Sequence, residues 1–155
     1  MRNYSSLLWP PVSRLAAMTF VPGRVRVGVL RLFGADIGRG VLIRPRVRIR
    51  APRRLSVGTD SWIGEAVELD CRRAPIVIGS DVVLSQAARL IAAQPGPLIV
   101  DDGAWIALRA TVTGSVRVGR RAVVGAGARI DREVAPHALV RSPAAIAAPS
   151  LTQRP

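Results

Sequence analysis

Aliphatic residues recur along most of this chain at a spacing of six. A period of six would spread apolar side chains all around an α-helix, whereas short strands joined by tight corners keep each of them pointing inward. The repeat therefore predicts a solenoid of β-strands around an aliphatic core. The repeated positions are Ile37, Ile43, Ile49, Val57, Ile63, Leu69, Ile78, Leu84, Leu90, Val100, Ile106, Val112, Val118, Val124 and Ile130.

The repeats fall into groups of three that begin at residues 37, 57, 78, 100 and 118. Because three units of six make one turn of a triangular prism, we predict an all-β, parallel β-helix of about five coils. Successive groups are 20, 21, 22 and 18 residues apart, so 2, 3, 4 and 0 residues exceed the eighteen of a regular coil. The additions always follow the third unit and should bulge from one corner. Small residues at the fifth position of several units suit tight corners: Ser61, Ala88, Ala104, Ala110, Ala122 and Ala128.

The repeats divide the chain into three parts. We predict an apolar, Arg-rich N-terminal segment at 1–35, the β-helix at 36–135, and an exit loop with a tail at 136–155, whose last residues, 150–155, are expected to be disordered. A length of 155 residues suits a single domain. The start does not have the pattern of a signal peptide, and the longest Pro-free run there, residues 12–21, is shorter than the roughly 20 residues that cross a bilayer. We expect a cytoplasmic protein.

Four stretches are specific enough to indicate a family: LRLFGADIG at 30–38, SWIGE at 61–65, APIVIG at 74–79 and DGAWIA at 102–107. Together they resemble the hexapeptide-repeat acyltransferases, and within these the colanic acid biosynthesis acetyltransferases and the galactoside and maltose O-acetyltransferases. The resemblance covers roughly residues 28 to 148. It implies a left-handed β-helix that forms homotrimers, uses acetyl-coenzyme A as acyl donor and acetylates a sugar hydroxyl in polysaccharide biosynthesis.

Catalysis is where the chain departs from this pattern. Acyl transfer to a hydroxyl needs a general base and a donor that stabilises the oxyanion. The resemblance implies a His as base, on a loop extruded from a middle coil, but here only IAAQPG lies between Leu90 and Pro97. The loop is therefore predicted to be largely deleted. The remaining candidates are Asp70, Ser85 and the sole histidine, His137; the alternative is that each is a corner or surface residue, as Asp and Ser favour turns.

Cofactor binding follows the family pattern more closely. The resemblance implies that the pantetheine arm of coenzyme A lies between adjacent prisms and is held largely by backbone groups. The matching positions are Ala107, Leu108, Gly125, Ala126 and Arg132. Leu108 is bulkier than the usual residue, and Gly125 and Ala126 could equally be ordinary coil residues. No metal site is predicted, and Cys71 is interpreted as a buried small hydrophobe.

Charge is concentrated in the first third of the chain. Residues 1–54 hold 12 Arg and one acid, whereas residues 55–155 hold 11 Arg and nine acids. The arginines from Arg44 to Arg54 should lie on the outside of the first coil. This face is either merely solvated or attracted to an anionic membrane; nucleic acid is less favoured because no recognised module is present. In the membrane hypothesis five apolar residues would enter the interface: Leu7, Leu8, Trp9, Met18 and Phe20.

Two functions remain open from the sequence. The first is an acetyl-coenzyme A dependent O-acetyltransferase that uses another base or assistance from its substrate. The alternative is a catalytically silent β-helix that serves as a structural or regulatory partner in a glycan-assembly complex. Coenzyme A binding without turnover would favour the second.

Overall fold

A computed structural model describes residues 4–16, 18 and 20–142 of the chain. The predictions for the side chain of Leu7 and for residues 143–155 lie outside the described residues. Two helices, α1 (Tyr4–Ala16) and α2 (Gly23–Leu32), precede a left-handed β-helix of short parallel strands. Within the described residues, neither helix is long and apolar enough to cross a membrane.

Each face of the prism is one parallel sheet. The first face consists of β1 (Asp36–Ile37), β4 (Leu55–Val57), β7 (Ile76–Ile78), β10 (Leu98–Val100) and β13 (Arg117–Val118). The second face consists of β2 (Leu42–Ile43), β5 (Trp62–Ile63), β8 (Val83–Leu84), β11 (Trp105–Ile106), β14 (Val123–Val124) and β16 (Leu139–Val140). The third face consists of β3 (Arg48–Arg50), β6 (Glu68–Asp70), β9 (Arg89–Ile91), β12 (Thr111–Thr113) and β15 (Arg129–Ile130).

The register of the coils is as the repeat predicts. On the second face, Ile43 pairs with Ile63, Ile63 with Leu84, Leu84 with Ile106 and Ile106 with Val124. All five side chains are buried. Successive residues of a strand point to opposite sides, so an aliphatic at every sixth position always faces the core. The predicted coil starts are likewise confirmed by the register of the first face.

The three corners differ in length. The first corner joins the first face to the second, and the second corner joins the second face to the third; both are tight turns. At the first corner, a Cβ on Gly58 would lie 2.5 Å from the carbonyl carbon of Gly79, so glycine allows the coils to stack there. The third corner joins the third face to the next coil and carries the extra residues, including a 3₁₀ turn at Pro52–Arg54. The prediction that the additions share one corner is confirmed.

The N-terminal helices close the lower end of the prism. A lower edge left open would expose unpaired backbone groups of β1, β2 and β3. The Arg31 side chain donates to the carbonyl oxygen of Ile37 at 2.7 and 3.0 Å, and Arg26 Nη1 donates to that of Ile43 at 3.0 Å. Trp9 Nε1 donates to the carbonyl oxygen of Ile49 at 2.7 Å. One helix side chain thus caps each of the three edge strands.

Two expectations about the ends are corrected. Trp9 is only 8% exposed and is held by its indole hydrogen bond, so the prediction that it enters a membrane interface is wrong. At the other end, Val134 bridges to Val118 and β16 pairs with β14, so a partial sixth coil extends past the expected boundary at residue 135. Val134 and Val140 are six residues apart and resume the repeat after an interruption in phase.

Candidate functional site

The structure distributes the predicted site residues over all three corners. Asp70 ends a strand beside the third corner, where Arg132 also lies, and His137 lies at the first corner. The second corner brings together the remaining five: Ser85, Ala107, Leu108, Gly125 and Ala126. A single chain therefore assembles most of the predicted cofactor positions but keeps the three catalytic candidates apart.

The second corner presents a strip of small residues on three successive coils. Ser85, Ala107 and Gly125 each follow the inward residue of their strand and stack one above another. Their backbone N–H groups donate to the carbonyl oxygens of Ile106, Val124 and Val140 at 2.8, 2.8 and 2.7 Å. These donors are used by the ladder, so a ligand would have to meet other groups of the corner.

The next residues along the second corner are the accessible ones. Leu108 and Ala126 are both exposed, and Leu108 projects from the strip as a large side chain. Gly125 has a packing reason of its own, because a Cβ there would lie 2.9 Å from the carbonyl oxygen of Val140. Ala107 is buried. The surface at this corner is thus shallow and largely apolar, apart from the backbone oxygens.

Ser85 is held by its neighbour on the coil above. Trp105 Nε1 donates to Ser85 Oγ at 2.8 Å. A serine nucleophile needs an adjacent base to take its proton. Among the described residues, the sole histidine of the chain, His137, lies at another corner. The serine hydroxyl therefore orients the Trp105 ring on the outer surface and, within the described residues, has no partner that would activate it.

Asp70 lies in a cluster of ion pairs beside the third corner. Arg72 donates to its carboxylate through Nε at 3.0 Å and Nη2 at 2.7 Å, and Arg50 Nη1 lies 3.3 Å away. The Arg72 side-chain hydrogen bonds are the main cause that lowers the pKa of Asp70, against the opposite effect of burial. A carboxylate stabilised in this way is a poor proton acceptor.

His137 lies on the first corner of the partial sixth coil. Its backbone is left-handed, with φ of 61°, as at Arg121 one coil below. Its N–H donates to the carbonyl oxygen of Arg120 at 2.9 Å, and the residue is exposed. The imidazole is therefore a surface group on a tight turn, at a different corner from the shortened third-coil segment.

The segment between β9 and β10 returns directly to the prism. Ala92 donates its N–H to the carbonyl oxygen of Asp70 at 3.1 Å, and Leu98 donates to that of Pro75 at 2.9 Å. Gly96 takes a left-handed φ of 108°, and a Cβ there would lie 2.4 Å from Ser115 Oγ. None of residues 92–97 carries a titratable side chain. The segment at the third corner of this coil therefore carries no side chain that could act as a general acid or base.

Other reactive side chains are also unsuited to chemistry. Cys71 is fully buried, and burial raises the pKa of its thiol to about 12. A thiol that stays protonated is a poor nucleophile. Within the part of the chain that the structure describes, no three His, Cys, Asp or Glu side chains are grouped to hold a metal ion.

The outer surface of the second face carries an apolar pattern that was not predicted. In each strand of that face the residue before the inward aliphatic points outward, and in all six strands it is apolar. This apolar stripe consists of Leu42, Trp62, Val83, Trp105, Val123 and Leu139. The signal was present in the sequence as an apolar residue directly before one inward aliphatic in each coil, at spacings of 20, 21, 22, 18 and 16 residues.

Comparison with known proteins places these features in a family. No protein-family model matches the chain. Over 134 residues it is 31% identical to the "Putative colanic acid biosynthesis acetyltransferase WcaF" of Escherichia coli (strain K12), a match that covers 79% of this chain and 73% of that protein.

Solved structures agree on the fold. A maltose O-acetyltransferase from Clostridium difficile 630 superposes with a TM-score of 0.79 at 18% identity, covering 89% of this chain and 81% of that one. A hexapeptide-repeat containing acetyltransferase from Vibrio cholerae O1 biovar eltor, complexed with acetyl coenzyme A, superposes with a TM-score of 0.75 at 19% identity, covering 89% and 80%. With the relative from Escherichia coli, they lead to one conclusion: the chain belongs to the hexapeptide-repeat acetyltransferases, in the group of the colanic acid biosynthesis acetyltransferases.

Proposed function

We propose that this protein transfers an acetyl group from acetyl-coenzyme A to a sugar hydroxyl during the synthesis of a polysaccharide. The observation that carries the proposal is the likeness to the colanic acid acetyltransferase, which spans most of both chains. In the reaction, the sugar oxygen attacks the thioester carbonyl carbon, the carbon–sulfur bond breaks, and the proton of the hydroxyl passes to a base. Coenzyme A leaves as the thiol.

The second corner is the proposed place of the donor. Its small residues leave room for a pantetheine arm along the coils, and Leu108 with Ala126 would contact it. Arg132 is exposed at the third corner of the fifth coil and would reach a ligand at the second corner only from an adjacent prism. The Vibrio cholerae relative that carries acetyl coenzyme A has the same fold, which supports this assignment.

A homotrimer would account for the apolar stripe and for the scattered site residues together. The stripe exposes two tryptophans and two leucines on a face whose inward residues are already fully packed. Contiguous apolar surface of this kind marks an interface in most soluble proteins. Three prisms packed around a common axis would cover it and place different corners of neighbouring chains side by side.

None of the three candidate side chains is placed to act as the general base within one chain, as far as the structure describes it. Asp70 is held by arginines, Ser85 is held by Trp105, and His137 lies at the first corner. Transfer would therefore rely on a neighbouring subunit or on the substrate itself. The shortened 92–97 segment specifically favours the second candidate function, a catalytically silent partner of a glycan-assembly complex.

The lower end of the prism is the proposed membrane contact of a cytoplasmic protein. Phe20 is 78% exposed and Leu32 is 83% exposed, and the helices of this N-terminal segment pack on the first coil, whose arginines are exposed. Amphipathic surfaces with basic residues bind anionic lipid headgroups. In a trimer with parallel prisms, three such ends would face the same side.

The test separates the two functions. Binding of coenzyme A is measured by calorimetry, and release of free thiol from acetyl-coenzyme A is followed with and without candidate sugar acceptors. Acceptor-dependent thiol release supports the enzyme, binding without release supports the silent partner, and absence of both contradicts the donor assignment. Ala126→Trp should block coenzyme A binding at the second corner, whereas the matched control Ala135→Trp, exposed at the first corner, should not.

A further inference from the structure

A large groove lies between helix α1 and the first coil, at the lower end of the third face. Its volume is about 1010 Å³. One wall consists of Trp9 and Phe33, whose rings pack with centroids 5.1 Å apart and planes tilted by 55°, and Met18 also lines the groove. The edge strand β3 also lines the groove. Because the Trp9 indole is fixed to the strand by its hydrogen bond, this apolar wall is preformed.

The rest of the lining is strongly basic. No residue that lines the groove is acidic, and six are arginines: Arg14, Arg46, Arg48, Arg50, Arg53 and Arg72. Arg46, Arg50 and Arg72 form ion pairs with acids of the second coil. Arg14 and Arg48 make no ion pair with any residue in the described part of the chain. Uncompensated positive charge therefore lies beside an apolar wall.

We infer that this groove binds an anionic amphiphile, a hydrocarbon chain that carries a phosphate group. Arg guanidinium groups bind phosphate oxygens through paired, charge-assisted hydrogen bonds, and the accessible side chains of Phe33 and Met18, beside the buried Trp9, would contact the hydrocarbon chain. A polar anion alone would leave the apolar wall uncovered, and an uncharged chain would leave Arg14 and Arg48 without a counter-ion. The inference deepens the proposed function, on which the role of the ligand rests, by naming one bound molecule at a defined site.

The position of the groove gives this ligand a role. Arg72 lines the groove and also holds Asp70, so the groove reaches the third corner of the second coil. The shortened 92–97 segment leaves the same corner two coils above the floor of the groove, roughly 10 Å along the axis. A sugar carried on the bound phosphate would therefore lie along the corner where the family's acceptor chemistry is expected.

Binding to the groove is measured by calorimetry on the full chain with dodecyl phosphate below its micelle concentration. Inorganic phosphate and dodecyl maltoside test the charge alone and the chain alone. We expect dodecyl phosphate to bind at least about tenfold more tightly than either, because it alone satisfies both parts of the groove. Equal binding of dodecyl maltoside, or no binding of dodecyl phosphate, would overturn the inference.

Matched variants localise the site. Arg14→Ala with Arg48→Ala should weaken dodecyl phosphate binding about tenfold, whereas Arg129→Ala, in the same outward column of the third face as Arg48, should leave it unchanged. Met18→Glu should weaken binding through repulsion, whereas Leu15→Glu, exposed on helix α1 but outside the lining, should not. Circular dichroism confirms that each variant is folded. Equal weakening by Arg129→Ala or Leu15→Glu would refute the site.

Vesicles separate this inference from the membrane proposal. Sedimentation with phosphatidylglycerol vesicles, against phosphatidylcholine vesicles as control, reports membrane contact as a whole. Groove-dependent binding of dodecyl phosphate without vesicle binding supports the groove and contradicts the membrane contact. Vesicle binding without dodecyl phosphate binding contradicts the groove and leaves the membrane contact standing.

Discussion

The second and third faces of the prism both point aliphatic side chains inward, but they differ in the polarity of their outward side chains. Inward, both are columns of buried aliphatics in register. Outward, the second face carries the apolar stripe, whereas the third face carries charged and polar residues in the equivalent column: Arg48, Glu68, Arg89, Thr111 and Arg129.

The charged column also pairs across coils. Glu68 Oε2 lies 3.1 Å from Arg89 Nε, and Glu68 Oε1 lies 3.4 Å from Arg50 Nη2. Cross-strand ion pairs of this kind are solvated and need no partner surface. The comparison shows that the inward half of each repeat specifies the fold, while the outward half specifies what each face can contact.

The largest effect should come from charging the inward column. Ile106→Asp places a carboxylate among fully buried aliphatics, at a cost of several kcal/mol against a total stability of about 5–15 kcal/mol. We expect the purified variant to be unfolded by circular dichroism at 25 °C. The adjacent outward change, Trp105→Asp, should leave a folded chain. A cooperative thermal transition close to that of wild type in Ile106→Asp would contradict the register.

A second prediction concerns the outward columns. Trp62→Arg with Trp105→Arg puts two charges into the apolar stripe, and we expect the mass measured by light scattering to fall from a trimer to a monomer. The matched control is Thr111→Arg on the third face, which should leave the mass unchanged. A wild-type monomer at micromolar concentration would remove the contact between adjacent prisms where coenzyme A is proposed to bind, and with it most of the argument for coenzyme A binding.

A third prediction uses the ionic character of the third face. The depressed pKa of Asp70 means that its carboxylate contributes stability above its unfolded pKa, and that this contribution is lost as pH falls through the lower folded pKa. Asp70→Asn should therefore cost about 1–2 kcal/mol at pH 7 and progressively less below about pH 4. The free energy of unfolding, measured by chemical denaturation at pH 7 and below about pH 4, checks this. Trp62→Phe, on the second face, should show the same small effect at both.

The fold could be predicted because every inward residue repeats the same physical requirement, burial in a narrow core. The way the N-terminal helices cap the prism could not be predicted. Arg26, Arg31 and Trp9 bind three backbone carbonyl groups that come together only when the first coil is folded. The partial sixth coil was missed because the phase breaks between Ile130 and Val134. For the candidate site, the repeat puts the second-corner residues Ala107 and Gly125 directly after inward aliphatics, at equivalent positions of successive coils.

Spacing along the chain could not show that Asp70, Ser85 and His137 belong to different corners. Corner identity depends on the number of extra residues in each coil as well as on the period of six. The ion pairs and hydrogen bonds of each candidate residue could not be predicted either. Arg72 follows Asp70 by two positions, yet only the turn at the third corner brings its guanidinium back onto the carboxylate.

The smallest expected effect is that of removing the imidazole. His137 lies at the first corner of the partial sixth coil, whereas the shortened segment leaves the third corner of the third coil. Because general-base catalysis typically contributes about 10²–10⁴-fold, a true base would be obvious on mutation. We expect His137→Ala to leave thiol release within about threefold of wild type, and a His-bearing loop inserted between Ala92 and Pro97 to raise it. Loss of all turnover in the single mutant, with folding and trimer mass unchanged, would show that the imidazole of one chain serves the third corner of its neighbour.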